Sequence, residues 1–266
     1  MTSEEAHERL VAALAKGIGD LPMLPRAATE MMRLAQSQDV DFAEVRRVAE
    51  GHPPLAARLL ATANSVLYSR GSTVGAVQAA IVRLGAQATR DILFQASYAT
   101  ALLDGKEARA FLEERFVHSG LAARVARMLA PRFDVSGDTA YVCGLLHDVG
   151  EARCARVAAR AFKEGWDDAV LAAIDRLHCQ AGGDLAVRWR LPAEIERVAR
   201  HHHDEAPEDP LVRVVAVADR LAELYTTGGL EAGLPALAER SGQDLVALLG
   251  VAERLEAEAS TLRMAA

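Results

Sequence analysis

Four polar residues interrupt the apolar stripes of this chain. His118 shares a stripe with Leu121, Val125 and Leu129, and His178 follows Val170 and Ile174 at steps of four. His202 continues Ile195, Val198 and Ala199, and Asp219 stands in line with Leu211, Val215 and Ala222. Each takes a place where a 3.6-residue period expects Leu or Val. A lone histidine there is ordinarily a core residue satisfied by its neighbours. Four on four segments call for a shared partner, because a polar group buried without one costs roughly 1–3 kcal/mol and a charge costs more. Beside them stand His147-Asp148, in the run Gly144-Leu-Leu-His-Asp-Val-Gly-Glu151, and the triplet His201-His202-His203.

Imidazole and carboxylate together suit divalent transition metals, and a carboxylate has two oxygens with which to bridge two ions. Adjacent ligands such as His147 and Asp148 leave a helix end in different directions, as two neighbouring ions require. Two ions about 3.5–4 Å apart can activate water and hold a phosphate oxygen. Of the triplet, His202 fits the stripe, so His202 and His203 are taken as candidates and His201 as an exposed neighbour. Cys143, Cys154 and Cys179 lie among apolar residues, form no CxxC pair and read as inert thiols.

Helices must position these groups. Of 266 residues 53 are Ala and only 5% are aromatic. Ala loses least on entering a helix, so the expected fold class is all-α, and sandwiches and barrels are poor candidates. Asp41-x-x-Glu44 offers a helix start, and Pro53-Pro54 opens a helix that ends near Asn64-Ser65. An apolar run from Val74 to Leu84 reaches Gly85 as a cap, and the next helix runs from Ala86 to about Leu103. Further helices are expected over 111–130, 138–148 and 167–181, from Pro192, and over 211–225. Breaks fall at Asp104-Gly105-Lys106 and Thr226-Thr-Gly-Gly229. The resulting division is an N-terminal helix or extension at 1–17, helical halves at 18–104 and 105–225 packed as one unit, and a helical extension at 226–266. In that extension one amphipathic helix is expected over 243–262. Its stripe Leu245, Leu248, Leu249, Ala252, Leu255 serves either to pack back onto the domain or to form a homodimer.

The net charge of −7 argues against a nucleic-acid surface, which needs clustered Lys and Arg. Three cysteines, an odd number, fit a reducing cytosol. The first residues lack the basic-then-apolar pattern of a signal peptide. The longest uncharged runs, such as Ile92–Leu103, fall short of the roughly 20 residues a membrane helix needs. A cytoplasmic protein without membrane or nucleic-acid partners is expected.

The order His118, His147-Asp148, His178, His202-His203, Asp219 resembles the metal-ligand order of the HD superfamily of phosphohydrolases, most closely its HD-GYP branch of cyclic-dinucleotide phosphodiesterases. The N-terminal half carries Leu21-Pro-Met-Leu-Pro25, Pro54-Leu-Ala-Ala-Arg-Leu-Leu-Ala-Thr-Ala-Asn-Ser65 and Ala80-Ile-Val-Arg-Leu-Gly85. Together these resemble the HDOD domain, the HD-related output domain of bacterial signalling, over residues 18–225. The resemblance implies an HD-like helical bundle and a signalling or scaffolding role with an unidentified protein partner. Many members of that family lack the metal ligands, whereas this chain keeps a full set, whose HD-like order implies a site for iron, manganese, zinc or nickel, with room for two ions. Asp148 would bridge them, with His118, His147 and Asp219 on one and His178, His202 and His203 on the other. Were the chain catalytic, Asp148 would be the central residue.

Two departures weigh against hydrolysis. The Lys that follows the pair in the usual HD-x-GK motif is Glu151 here, and no Gly-Tyr-Pro follows His203; the chain continues Asp204-Glu-Ala-Pro-Glu-Asp-Pro210. Like charges disfavour the approach of phosphate. Glu114, one turn before His118, corresponds to an extra acidic ligand of some HD-GYP enzymes but reads more simply as a solvated helix residue. The expected function is therefore a regulatory module with a metal site; the alternative is a metal-dependent phosphohydrolase or phosphodiesterase acting on a nucleotide or cyclic dinucleotide.

Overall fold

The computed structural model describes residues 1–17, 21–35, 42–69, 71–103 and 108–263. Among them every regular element is a helix. Helix α1 (Ser3–Ala15) starts on a reciprocal cap: Glu5 N donates to the Thr2 hydroxyl at 3.2 Å, and Thr2 N donates to the Glu5 carboxylate at 2.8 Å. Then come α2 (Arg26–Ala35), α3 (Phe42–Gly51), α4 (Pro53–Ala63), α5 (Val77–Leu84) and α6 (Ala86–Leu102). The remainder is α7 (Arg109–Leu129), a 3-10 turn (Ala130–Arg132), α8 (Gly137–Leu146), α9 (Val149–Ala161), α10 (Asp168–Arg188), α11 (Ala193–His201), α12 (Pro210–Thr226), α13 (Leu230–Ser241) and α14 (Leu245–Arg263). Side chains open several of these: Ser136 caps α8, Asp167 caps α10, and Asp209 caps α12 ahead of Pro210.

The chain divides into two compact units. One is built on Met23–Ala101, with α3 against α2, α4 and α5. Its core includes Met31, Val45, Val48, Leu55, Leu59 and Ile81. Asn64 closes α4 and does more besides: its amide donates to Val74 O at 2.9 Å and its oxygen accepts from Val74 N at 2.8 Å, tying the following loop to the helix end. Gly85 adopts φ +81° between α5 and α6, as its place at the end of the apolar run suggests.

The other unit comprises Met1–Pro22 and Leu102–Ala257. Here α7 packs on α8 and α12, α10 packs on α9 and α11, and α1 lies on α9 and α10. Leu248, Ala252 and Leu255 of α14 are buried, whereas Leu245 and Leu249 are exposed, so most of that stripe packs back. Among the described residues no helix is long and apolar enough to cross a membrane.

Three boundaries differ from expectation. The helix expected over 138–148 stops at Leu146, because His147 caps it and Asp148 turns the chain into α9. The helix expected to end at Ala181 runs on to Arg188, through Gly182-Gly183. Those glycines serve close packing: a β-carbon on Gly183 would lie 2.3 Å from Arg200 Cγ of α11. The tail holds α13 as well as α14. Gly233 and Pro235 mask α13 in the sequence, yet Leu234, Leu237 and Ala238 bury against the domain and override the local cost. The cap at Asp41 and the break at Asp104-Gly105-Lys106 lie outside the described residues.

Candidate metal centre

Five stretches of the second unit bring the candidate residues together. His118 comes from α7, Asp219 from α12, and His147 and Asp148 from the corner between α8 and α9. His178 comes from α10, and His202 and His203 from the end of α11. Small residues let these helices close. A β-carbon on Gly144 would stand 2.8 Å from Ala123 Cα, which sets α8 hard against α7 and brings the rings of His118 and His147 to 5.7 Å. A β-carbon on Gly150 would stand 1.8 Å from His178 O and 2.5 Å from Gly182 N, so only glycine admits α10 this close to the Asp148 corner.

Asp148 stands between two sets of rings. Its Oδ2 lies 3.1 Å from His147 Nε2 and 3.7 Å from His118 Nε2. Its Oδ1 lies 3.1 Å from His202 Nε2 and 3.7 Å from His178 Nε2. Asp219 Oδ1 completes the first set, 2.9 Å from His118 Nε2 and 3.4 Å from His147 Nε2. In the second set His178 Nε2 and His202 Nε2 are 3.4 Å apart. His203 stands at the rim, its side chain 53% exposed and its Nδ1 3.9 Å from Asp219 Oδ2.

Backbone carbonyls fix the rings. The Nδ1 atoms of His147, His178 and His202 face Gly144 O, Asp175 O and Val198 O at 2.8, 2.5 and 3.1 Å. A carbonyl only accepts, so each Nδ1 carries the proton and each Nε2 points into the centre as a lone pair or an imidazolium N–H. His147 Nε2 is buried and makes no hydrogen bond of acceptable geometry despite the nearby carboxylates. Lone pairs and carboxylate oxygens converging in a buried site are the environment a cation completes, and the residues present fit one. The C-terminal ends of α8 and α11, marked by His147 and His202, add the negative ends of two helix dipoles.

Protonation in the metal-free chain follows the same field. Burial opposes ionisation of Asp148, but His147 and His202 overcome it and hold the carboxyl well below the usual range. Burial likewise opposes that of Asp219, which His118 and His147 hold low. For His147 burial disfavours the charge, yet Asp148 and Asp219 raise its proton affinity well above that of an ordinary imidazole. Burial, followed by the neighbouring His202, lowers His203.

Other residues fall elsewhere. Glu114 is 73% exposed and pairs with Arg115 at 3.5 Å, outside the centre. His201 is exposed and faces Asp204. Glu151 is largely covered and meets Arg115 at 3.4 Å; burial and then the Asp148 charge push its carboxyl up to about 7, so its negative charge is partial near neutrality. Cys179, read from sequence as inert, lies with Sγ 3.3 Å from His178 Nε2 and forms a candidate ligand group with His178, His202 and His203. Its signal was adjacency to His178, which a helical stripe discounts because neighbours in sequence point about 100° apart. A pocket of about 720 Å³ adjoins His202, His203 and Asp219 and is lined also by Phe133, Arg213, Arg220 and Arg240. None of those arginines lay on an interrupted stripe.

Comparison with known proteins places the fold. Residues 21–205 match the HDOD domain model. A solved HDOD domain protein of unknown function from Geobacter sulfurreducens superposes with a TM-score of 0.68 at 26% identity, covering 96% of both chains. A proposed phosphohydrolase from Shewanella amazonensis SB2B gives 0.66 at 24% identity, over 96% of this chain and 97% of that one. An uncharacterized protein from Treponema pallidum (strain Nichols) is 25% identical over 228 residues, which are 79% of this chain and 44% of that protein. The chain thus spans less than half the length of this curated relative.

Proposed function

Since the chain belongs to the HDOD domain family, we propose that it is a regulatory module of bacterial signal transduction that engages a protein partner and holds divalent metal in its HD-like half. The observation that carries the metal reading is the division of Asp148, with one oxygen toward His147 and His118 and the other toward His202 and His178. Such a carboxylate suits two ions among iron, manganese, zinc and nickel. His118, His147 and Asp219 would hold one, and His178, His202 and His203 the other, with Asp148 shared. Bound there, the ions supply fixed positive charge and Lewis acidity at the meeting point of α7 to α12.

The regulatory reading is supported by what surrounds the centre. Glu151 occupies the place where the resemblance expects a phosphate-facing Lys, and it engages Arg115 instead. The segment after His203 brings Asp204 and Glu205 to the pocket wall. The test is elemental analysis of the purified protein and of Asp148→Ala, with hydrolysis assays on nucleoside phosphates and cyclic dinucleotides. Two metal equivalents in the native protein, none in the variant, and no turnover are expected. A native protein that takes up no metal after reloading ends the metal reading. Metal-dependent turnover ends the purely regulatory one.

A second reading, a metal-dependent phosphohydrolase or phosphodiesterase, has one observation in its favour. Arg213, Arg220 and Arg240 line the pocket that opens beside His203 and Asp219. Three guanidinium groups beside a metal site are suited to a phosphate ester. Arg220 is shared with Glu223, which leaves Arg213 and Arg240 as the stronger candidates.

A further inference from the structure

The two halves of the centre differ in chemistry. Around Asp148 Oδ2 the donors are nitrogen and oxygen, from His118, His147 and Asp219. Around His178 and His202 a sulfur joins them, since ligand atoms of His178, Cys179, His202 and His203 all lie within 4.8 Å of one another. Nitrogen ligands sit about 2.0–2.1 Å and thiolate sulfur about 2.3 Å from a tetrahedral ion such as zinc, so paired ligands stand roughly 3.3–3.6 Å apart. His178 Nε2 and His202 Nε2 are 3.4 Å apart, and Cys179 Sγ is 3.3 Å from His178 Nε2. With Nδ1 of both rings committed to carbonyls, both Nε2 atoms face the centre, and the spacings that hydrogen bonds hold in the metal-free chain also match the corners of a coordination polyhedron. His203, largely exposed and turned toward Asp219, leaves the inner corner to sulfur.

We infer that Cys179 is a thiolate ligand of the second ion, making that half of the centre a mixed histidine–cysteine site that favours a softer metal than its partner half. The inference rests on the metal reading above and adds the identity of one ligand. On binding, the Cys179 thiol releases its proton to solvent as the metal–sulfur bond forms, with no change in oxidation state. Thiolate shifts preference toward zinc or ferrous iron and away from manganese, which carboxylate and carbonyl sites accept.

Cobalt(II) tests this directly, because thiolate-bound cobalt shows a near-ultraviolet sulfur-to-metal charge-transfer band that histidine and carboxylate ligands do not give. The native protein loaded with cobalt is expected to show the band, and Cys179→Ser to lose it while still binding cobalt. Two equivalents of cobalt bound without the band would overturn the Cys179 assignment and leave the metal reading standing. No cobalt bound would overturn both. Should Cys179→Ser fail to fold, alkylation of the native protein decides. Cobalt is expected to protect one thiol, identified as Cys179 by peptide mapping, and equal labelling with and without metal would count against the inference.

Discussion

The α-carbon of Gly150 rests against the carbonyl of His178, so closely that an added β-carbon would lie 1.8 Å from that oxygen. Glycine at this point sets the distance between the Asp148 corner and the helix that carries His178 and Cys179. Gly150→Ala must drive α9 and α10 apart or collapse their ends. Overpacking of this kind costs about 1–3 kcal/mol and more where backbone is the obstacle, so a loss at or above the top of that range is expected in denaturant unfolding. Metal content is expected to fall with it. Gly51→Ala, with nothing within 4 Å, is the control and should change neither.

Sharing of Asp148 predicts unequal consequences for the ligands. His118→Ala and His178→Ala should each remove about one metal equivalent, while Asp148→Ala removes both. In the metal-free chain Asp148→Ala also leaves His147 without its closest anion. Removing one partner of a buried ion pair costs about 3–5 kcal/mol, and a loss of that order is expected in thermal or chemical unfolding. Equal metal loss in all three variants would contradict the division of the centre.

The pH dependence of the metal-free protein has a determined sign. Asp148 and Asp219 ionise below the ordinary 3.8, so the stability they give is present above that value and lost as pH falls beneath it. Glu151 is raised from 4.5 to about 7, and His147 lies well above 6.5. What those two contribute is full below their ordinary values and lost as pH rises through the shifted ones. Through these four groups, melting temperature without metal should fall as pH drops below 3.8 and fall again as pH rises from 4.5 through about 7, with the lowered His203 opposing the second fall below pH 6.5. Metal competes with protons for the same nitrogens, so the stabilisation gained on adding metal should grow over the alkaline range in which the metal-free form weakens.

Arg213 and Arg240 give a test of the pocket. If a phosphate ester is held there, each guanidinium contributes a charge-assisted hydrogen bond of about 1.5–3 kcal/mol. Arg213→Ala and Arg240→Ala should then each weaken binding of a nucleoside monophosphate to the metal-loaded protein by about 10-fold or more, read by calorimetry. Arg132→Ala, outside the pocket lining, should leave it unchanged.

The helical class and four of the candidate positions were legible because burial imposes a period, and a polar residue on an apolar stripe breaks it visibly; His147, Asp148 and His203 were read from adjacency and from the resemblance. His118, His178, His202 and Asp219 stood out for that reason, and the structure brings them within reach of Asp148. Cys179 did not, because sulfur is apolar enough to pass for core filler. Nor did the true length of α10, since Gly182 and Gly183 read locally as a stop and only the packing of α9 and α11 shows why they continue the helix. The arginines of the pocket belong to the polar faces of α12 and α13, where periodicity carries no information about what they face.

If two ions bind as proposed, the two oxygens of Asp148 would also govern the order of filling. The first ion would draw on the carboxylate's whole negative charge, whereas the second would meet a ligand already partly neutralised, with a like charge close by. The successive binding constants should therefore fall, and a scarce supply of metal would populate half-filled molecules before any are complete. Occupancy would then report the concentration of free metal over a wider span than one simple binding step allows.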